Sequence, residues 1–360
     1  MSIQERMIKI IRDQHNPLIQ PKDIKPSAHH MEVIGAFNCG VTTYNDEIIL
    51  LIRVAERYLS DNHKIVGVPI FDAQENKIVI KKFDKNDSTI DFSDPRFVKT
   101  QDKLYLTSLS HLRLARSKDG IHFDIDQNAF IAPSFDYEEF GVEDPRITKI
   151  DETYYINYSA ISSSGVVTCL AETKDFISLK KIGIIFLADN KDVVIFPKKI
   201  NGSYYAINRP VSAYFQNPEM WIAKSDDLQS FGHHQKLCGT RKGYFDDARI
   251  GASCEPILTE KGWLEIYHGA SEDNHYKIGI LVLDQNDPSK ILYRSDLPLI
   301  EATESYEKNG FMPNVIFPCG FVKDGDIIRL YYGNCDENIC LLTFSLKELL
   351  DSITIHEVRK

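Results

Sequence analysis

The sequence has 360 residues, with 42 Lys and Arg against 52 Asp and Glu and a formal net charge of −10. That deficit of cations excludes the concentrated basic face that nucleic acid or an anionic membrane surface requires, and no stretch approaches the roughly eighteen apolar residues of a membrane-spanning helix. Length alone admits two average domains or one large all-β or α/β-barrel domain, with a large buried core in either case.

From the start of the chain, "MSIQERMIKIIRDQHNPLI" has helical periodicity over residues 3 to 13, which predicts an N-terminal helix and a lead-in ending near residue 25. Charges interrupt its apolar residues too often for a signal peptide, so a soluble, cytoplasmic protein is expected. "FNCGVTTYNDEIILLIRVAE" comes next, and its strands are expected to close the structure against the last segment. "EIILLIRVA", "KLYLTSLS", "TYYINYSA", "DVVIFPKKI", "GWLEIYHG", "KIGILVLD" and "DIIRLYYG" read as strands, each bounded by Asp, Asn, Gly or Lys clusters that read as turns. Helical spacing returns only in "SLKELLDSI", which predicts a C-terminal helix and tail over 345–360. The seven cysteines, at 39, 169, 238, 254, 319, 335 and 340, form no CxxC pair; buried thiols in a reduced compartment are expected, and no metal or other cofactor.

An internal repeat organises the body. "DPRFVKTQDKLYL" begins at Asp94 and "DPRITKIDETYYI" at Asp144, fifty residues later. Weaker copies lie around Asp192, around Glu255 in "CEPILTEKGWLEI", and from Pro313. "LARSKDG", "LAETKDF" and "IAKSDDL" repeat a second half-motif at spacings of 56 and 52 residues. An all-strand unit near fifty residues is the mark of a four-stranded propeller blade. The reading is an all-β, five-bladed β-propeller with short terminal helices, one domain over residues 1–360, with four or six blades as alternatives. Turns entering the innermost strands cluster at the central channel, so the acidic turns are expected to converge. Asp94-Pro95-Arg96 is read as a tie between blades. Glu143-Asp144-Pro145-Arg146, approached by the aromatic "SFDYEEFGVED", is read as functional.

"GVEDPRITKI", "NKDVVIFPKKINGSYYAINRP", "MWIAKSDDLQSFG", "GWLEIYHG" and "PNVIFPCG", in this order over nearly the whole chain, resemble glycoside hydrolase family 130, the β-mannoside phosphorylases and mannosidases. The resemblance implies a five-bladed propeller that cleaves β-mannosides with inversion, and "EVIGAFNCG" and "LLIRVAE" look nearest to members acting on β-1,2-linked mannose. Asp144 is then the acid, passing its proton through a hydroxyl of the mannose. Glu143 would raise the pKa of Asp144 by like-charge repulsion and Arg146 would lower it, so the sign stays open. Asn38, Arg53 and Asn314 match family positions that hold mannose hydroxyls. Lys191, Asp192, Tyr267 and His268 are further candidates for substrate contact, with Glu143, Arg146 and Arg209.

The fate of the cleaved sugar has two readings. Phosphorolysis needs fixed cations around inorganic phosphate as co-substrate, for which Arg113, Arg146, Lys191, Arg209 and His268 are candidates. Hydrolysis needs a carboxylate to activate water, for which Glu219, Glu255 and Glu265 are candidates. "NRP" at 208–210 in place of the family's "HRP", and "GASCEP" in place of a glycine-rich turn, favour water; a cytoplasmic location and the preponderance of phosphorylases in the family favour phosphate. The reading puts phosphorolysis of β-1,2-mannobiose or an oligomannoside to mannose 1-phosphate first and a β-1,2-mannosidase second. A non-catalytic sugar-binding propeller is the rival from another class. A small-molecule β-mannoside is the expected partner, and the terminal helices can cap the ring or contact a second subunit.

Overall fold

The computed structural model describes residues 8–211 and 218–354. Five antiparallel sheets follow one another along the chain. Blade 1 contains Met31–Tyr44, Glu47–Tyr58, Ser108–Ser117 and Asp124–Ile125; blade 2 contains Val142–Ile150, Thr153–Ser162, Gly165–Thr173 and Lys180–Phe186. Blade 3 contains Asn190–Ile195, Tyr204–Pro210, Met220–Ser225 and Gly232–Cys238. In blade 4 the innermost strand is broken into Arg249–Ala252 and Ile257–Thr259, both paired with Gly262–Ala270, ahead of Tyr276–Leu283 and Ile291–Arg294. Blade 5 contains Ile316–Asp324, Ile327–Asn334 and Asn338–Ser345, and takes its outermost strand from the other end of the chain, Ile11–Arg12.

The apolar clusters show that the sheets form a ring. One cluster joins Ile49, Leu51 and Leu112 of blade 1 to Val142, Ile147 and Tyr158 of blade 2. Similar clusters join blade 2 to 3, 3 to 4 and 4 to 5, and a fifth joins Tyr331, Ile339 and Leu341 of blade 5 to Leu50, Ile52 and Val54 of blade 1. Each blade is thus covered on both faces. The sequence therefore runs nearly continuously apolar through strands such as "GWLEIYHGA", buried at every position, rather than alternating. Burial of each such Ile or Leu stabilises by about 1.5–3 kcal/mol. Outer strands instead carry Lys and His, as in "KKIGIIF" and "GHHQKLC", which blunts their unpaired edges.

Two expectations change and one is extended. "FNCGVTTYNDEIILLIRVAE" packs on the last blade as the inner half of blade 1, and the ring is also closed by Ile11–Arg12, which pairs with Leu342 and Thr343. Over its described part, the expected N-terminal helix is this strand and an irregular lead-in, with residues 1–7 outside the described residues; pairing with an open sheet edge outweighs weak helical periodicity. The Asp94 copy of the repeat is not the entry to a blade: Phe97–Lys99 and Leu104–Leu106 form a separate hairpin. With the hairpin Ile65–Asp72/Lys77–Asp84 it makes an arm inserted between the second and third strands of blade 1. The C-terminal helix forms at Leu346–Ser352, where the Ser345 hydroxyl caps it by accepting the Glu348 N–H. Among the described residues no helix is long and apolar enough to cross a membrane.

Candidate active site

The innermost strands of blades 1, 2 and 3 share a defect. Pairing slips between Phe37 and Gly40, between Glu143 and Arg146, and between Lys191 and Val194. At each slip one short polar residue is left-handed: Asn38 with φ 48°, Asp144 with φ 50° and Asp192 with φ 52°. Asn and Asp tolerate this conformation better than other residues with a Cβ, and a bulge re-aims the side chain it carries. Two of the repeated acidic turns of the sequence, at Asp144 and Asp192, are such bulges.

The first group they build joins blades 1 and 2. Asn38 Nδ2 donates to Asp144 Oδ1 at 2.9 Å, and Arg53 donates to Asp144 Oδ1 at 3.0 Å and to Glu143 Oε1 at 2.7 Å. Arg53 Nε donates to Ser110 Oγ at 3.1 Å, and its guanidinium lies 4.5 Å from the centre of the Phe37 ring. Asn38, Glu143 and Asp144 are buried. Burial pushes the Asp144 carboxyl up, but Arg53, Arg146, Lys191 and the Asn38 hydrogen bond outweigh it, and the net shift is downward. Asp144 is therefore a carboxylate in the ligand-free site. Asp336, in the turn between the last two long strands of blade 5, faces the same group. Burial, with Asp144 and Glu143 adding to it and Arg53 opposing, pushes its carboxyl up to about 6.

A second group joins blades 2, 3 and 4. Arg146, only 2 % exposed, donates to the carbonyl of Asp144 at 2.9 Å and reaches those of Ser253 and Ala252 at 3.3 and 3.4 Å. Its Nη2 also lies 3.4 Å from Asp192 Oδ1. Asp192 Oδ2 lies 2.7 Å from Arg209 Nε and 3.3 Å from His268 Nε2. The contacts are those of an ion-paired cluster, held close but poorly aligned for hydrogen bonds. His268 Nδ1 is 3.1 Å from Ser253 Oγ, and its ring packs 4.5 Å from that of Phe317. Burial, with help from Arg209 and Arg146 and against the pull of Asp192, lowers the pKa of His268 and keeps it neutral at neutral pH. Gly251 permits the contact, since a Cβ there would clash with Asp192 Oδ2 and fall 2.6 Å from the His268 ring.

The remaining candidates disperse. Lys191 borders both groups, half-buried and without an ion pair among the described residues, near enough to lower the pKa of Asp144. Asn314 lies on the blade 4–5 rim, its Nδ2 3.0 Å from His275 Nε2. Glu265 accepts the Ser253 N–H at 3.2 Å and is fully buried, and burial holds its carboxyl well above the ordinary range. Glu255, in the broken innermost strand of blade 4, is pushed up to about 8 by burial, and its Oε2 has no hydrogen-bond partner. In both, burial favours the protonated form, which opposes a role as base.

Three candidates lie elsewhere. Tyr267 turns into the blade 3–4 core, its hydroxyl donating to Asp246 Oδ2 at 2.7 Å, because it alternates with His268 along one strand. Arg113 faces away from Arg53: it stands opposite Ile52 while Arg53 stands opposite Leu112. It is closed by His111 Nε2, the Lys25 carbonyl and Glu56. Glu219 sits in the outer half of blade 3, 2.7 Å from Lys236 Nζ. Asp336, Ser110 and Ser253 join the site without having been singled out; a turn acid, a serine in a strand and a serine just past a strand end carry no signal distinct from ordinary turn and strand chemistry. Among the described residues no three His, Cys, Asp or Glu side chains are grouped to hold a metal ion.

The family model of glycoside hydrolase family 130, described as β-1,4-mannooligosaccharide phosphorylase, matches residues 107–355. A β-1,2-mannobiose phosphorylase of Listeria innocua is 46% identical over 352 residues, covering 97% of this chain and 99% of that protein. A 1,2-β-oligomannan phosphorylase of a Thermoanaerobacter species is 36% identical over 244 residues, covering 67% of this chain and 80% of the relative. The solved structure of the Listeria innocua enzyme with β-1,2-mannobiose superposes with a TM-score of 0.92, covering 96% of this chain and 99% of that one.

Proposed function

This chain belongs to glycoside hydrolase family 130, and we propose that it phosphorolyses β-1,2-mannobiose to mannose 1-phosphate and mannose. One observation carries the reading: Arg146 bridges a buried acid group on blades 1 and 2 to a buried Arg209–Asp192–His268 group on blades 3 and 4. The first suits the mannosyl ring and its departing oxygen, the second the incoming nucleophile.

Arg53 and Asn38 hold the hydroxyls of the mannose to be transferred, and Asp144 supplies the proton, relayed through one of those hydroxyls. The bond from C1 to the leaving oxygen breaks, the proton goes to that oxygen, and phosphate closes a C1–O bond on the opposite face, which turns the β anomer into the α product. Lys191, Arg209 and His268 receive the phosphate; Arg209 Nε and His268 Nε2 are buried together beside the Asp192 carboxylate. A hydrolase would need a carboxylate to activate water, and burial raises the pKa of Glu255 and Glu265 while Glu219 is tied to Lys236. The identity and coverage of the Listeria innocua relative point the same way.

The ionised state of Asp144 couples the two groups. It must carry a proton to act as an acid, yet Arg53, Arg146 and Lys191 hold its pKa down. Phosphate beside Lys191 and Arg209 offsets those cations, so binding of the second substrate favours proton uptake by Asp144. A phosphorylated product is retained inside a cell, which suits a cytoplasmic enzyme, as do seven buried cysteines with no disulfide among them.

The test is incubation with β-1,2-mannobiose with and without inorganic phosphate. Mannose 1-phosphate formed only in its presence is the expected result. Free mannose released at equal rates in both, with no sugar phosphate, overturns it.

A further inference from the structure

The arm inserted in blade 1 carries the copy of the acidic turn that lies outside the blades. It leaves the second strand after Tyr58 and rejoins the third at Ser108. In blade 2 the corresponding turn, Ser162–Gly165, stands at the end of the ring where Glu143 pairs with Ser159, so the arm rises from the Asp144 end. Val68, Ile70, Val98 and Tyr105 pack it on Phe140 and Ile161. Lys103 Nζ, 2.6 Å from Glu139 Oε1, ties it to the segment leading into Glu143 and Asp144.

Arg96 is anchored at the inner root of this arm. Its carbonyl accepts the Thr107 N–H at 2.9 Å, and the Thr107 hydroxyl donates to the Pro95 carbonyl at 2.7 Å. Three residues further along the strand is Ser110, which receives Arg53. Asp94 grips the guanidinium as a fork, accepting from Nε at 3.0 Å and Nη2 at 2.7 Å, above the Phe97 ring. Nη1 makes no hydrogen bond among the described residues, and the side chain is 48% exposed. Asp336 is near enough to act on Arg96, and its turn is held to blade 1 by the Ala36 N–H donating to the Glu337 carbonyl at 2.8 Å. After Asp94, it is Asp336 that supports the charge of Arg96. A planar donor set, oriented by a carboxylate clamp and half open to solvent, fits sugar hydroxyls.

We propose that Arg96 binds the leaving-group sugar, donating from its open guanidinium edge to hydroxyls of the mannose that departs in phosphorolysis and acts as acceptor in reverse. This rests on the phosphorylase reading. Asp94 acts as a positioning residue that keeps the fork turned to the mouth.

The experiment runs the reaction backwards, from mannose 1-phosphate and mannose, with the wild-type protein, Arg96→Ala, Arg96→Lys and Asp94→Asn. Failure of the wild type to form β-1,2-mannobiose defeats the phosphorylase reading and removes the premise of the Arg96 assignment, so that result overturns both. With an active wild type, Arg96→Ala is expected to raise KM for acceptor mannose about tenfold or more, the scale of a lost polar substrate contact, with KM for mannose 1-phosphate within about twofold and Tm unchanged. Arg96→Lys recovers part of the loss, and Asp94→Asn shows a smaller rise in the same parameter. An unchanged acceptor KM, or equal rises in both KM values, overturns the inference.

Discussion

Asp144 and Glu255 occupy matching places in blades 2 and 4, each beside a proline where the innermost strand departs from regular pairing, yet their chemistry is opposite. Asp144 is left-handed, touches Asn38 and Arg53, and is surrounded by enough cations to stay ionised. Glu255 is as enclosed, has no cation nearby to offset burial, and is neutral up to about pH 8. Repetition sets where a carboxyl is delivered; the neighbouring blade decides what it becomes. Desolvation acts on both alike, and the cations around Asp144, Arg53 and Lys191 from the neighbouring blades and Arg146 from its own strand, separate them.

The largest test of this contrast is Asp144→Asn. Loss of a general acid is expected to lower phosphorolysis about 10²–10⁴-fold with Tm near wild type. Turnover within a few fold would place the acid elsewhere and dissolve the contrast.

Arg53→Met comes next, and it sharpens the cause. Loss of its contacts to Asp144 and Glu143 should cost about 10²-fold in kcat/KM, the value of two charge-assisted contacts at about 1.5 kcal/mol each. It also removes the largest influence holding the pKa of Asp144 down. That pKa then rises, the protonated acid survives to higher pH, and the alkaline limb of kcat/KM moves to higher pH. A limb that stays put or moves to lower pH shows that Arg53 does not govern the ionisation.

Gly251→Ala tests the second group without touching a charge. The added Cβ forces Asp192 and His268 apart, and about a tenfold rise in KM for phosphate is expected, with the KM for mannobiose little changed. Equal rises in both would mean that the Arg209–Asp192–His268 group is not specific to the nucleophile.

The smallest effect on activity is expected for Glu255→Gln, which should leave turnover within about twofold. Its signature lies in stability. The carboxyl is raised from 4.5 to about 8 on folding, so the folded chain holds this proton more tightly than the unfolded one. Its contribution to stability is complete below about pH 4.5 and is lost as pH rises toward about 8, at about 1.4 kcal/mol for each step of one in pH. Glutamine does not titrate, so the variant should lose less Tm than the wild type between pH 5 and pH 8. Parallel Tm profiles would show that Glu255 is solvated and that burial is not what distinguishes it from Asp144.

Much of the ring was legible beforehand. The fifty-residue period, the two half-motifs and the apolar strands predicted five blades, and the acidic turns pointed to the bulges that carry Asp144 and Asp192. The same reasoning misplaced the Asp94 copy, because "DPR" followed by a β-rich run is equally compatible with a hairpin and with a blade entry. Tyr267 and Arg113 failed for a related reason. A strand shows its neighbours opposite faces, and in a propeller both faces are apolar, so the pattern of residues does not mark which side looks into the channel. Asp336 was invisible because its partners lie in blades 1 and 2, far away along the chain.

What the sequence determined by itself is the repeating unit: short-range spacing specifies strands, turns and left-handed Asn or Asp, because these depend on the steric limits of a few consecutive residues. What tertiary structure alone decided is the ionisation of each buried carboxyl and the company each arginine keeps. Those depend on electrostatic energies that fall off over a few ångströms, and such distances exist only once Ile11–Arg12 has paired with the last blade and the ring is closed.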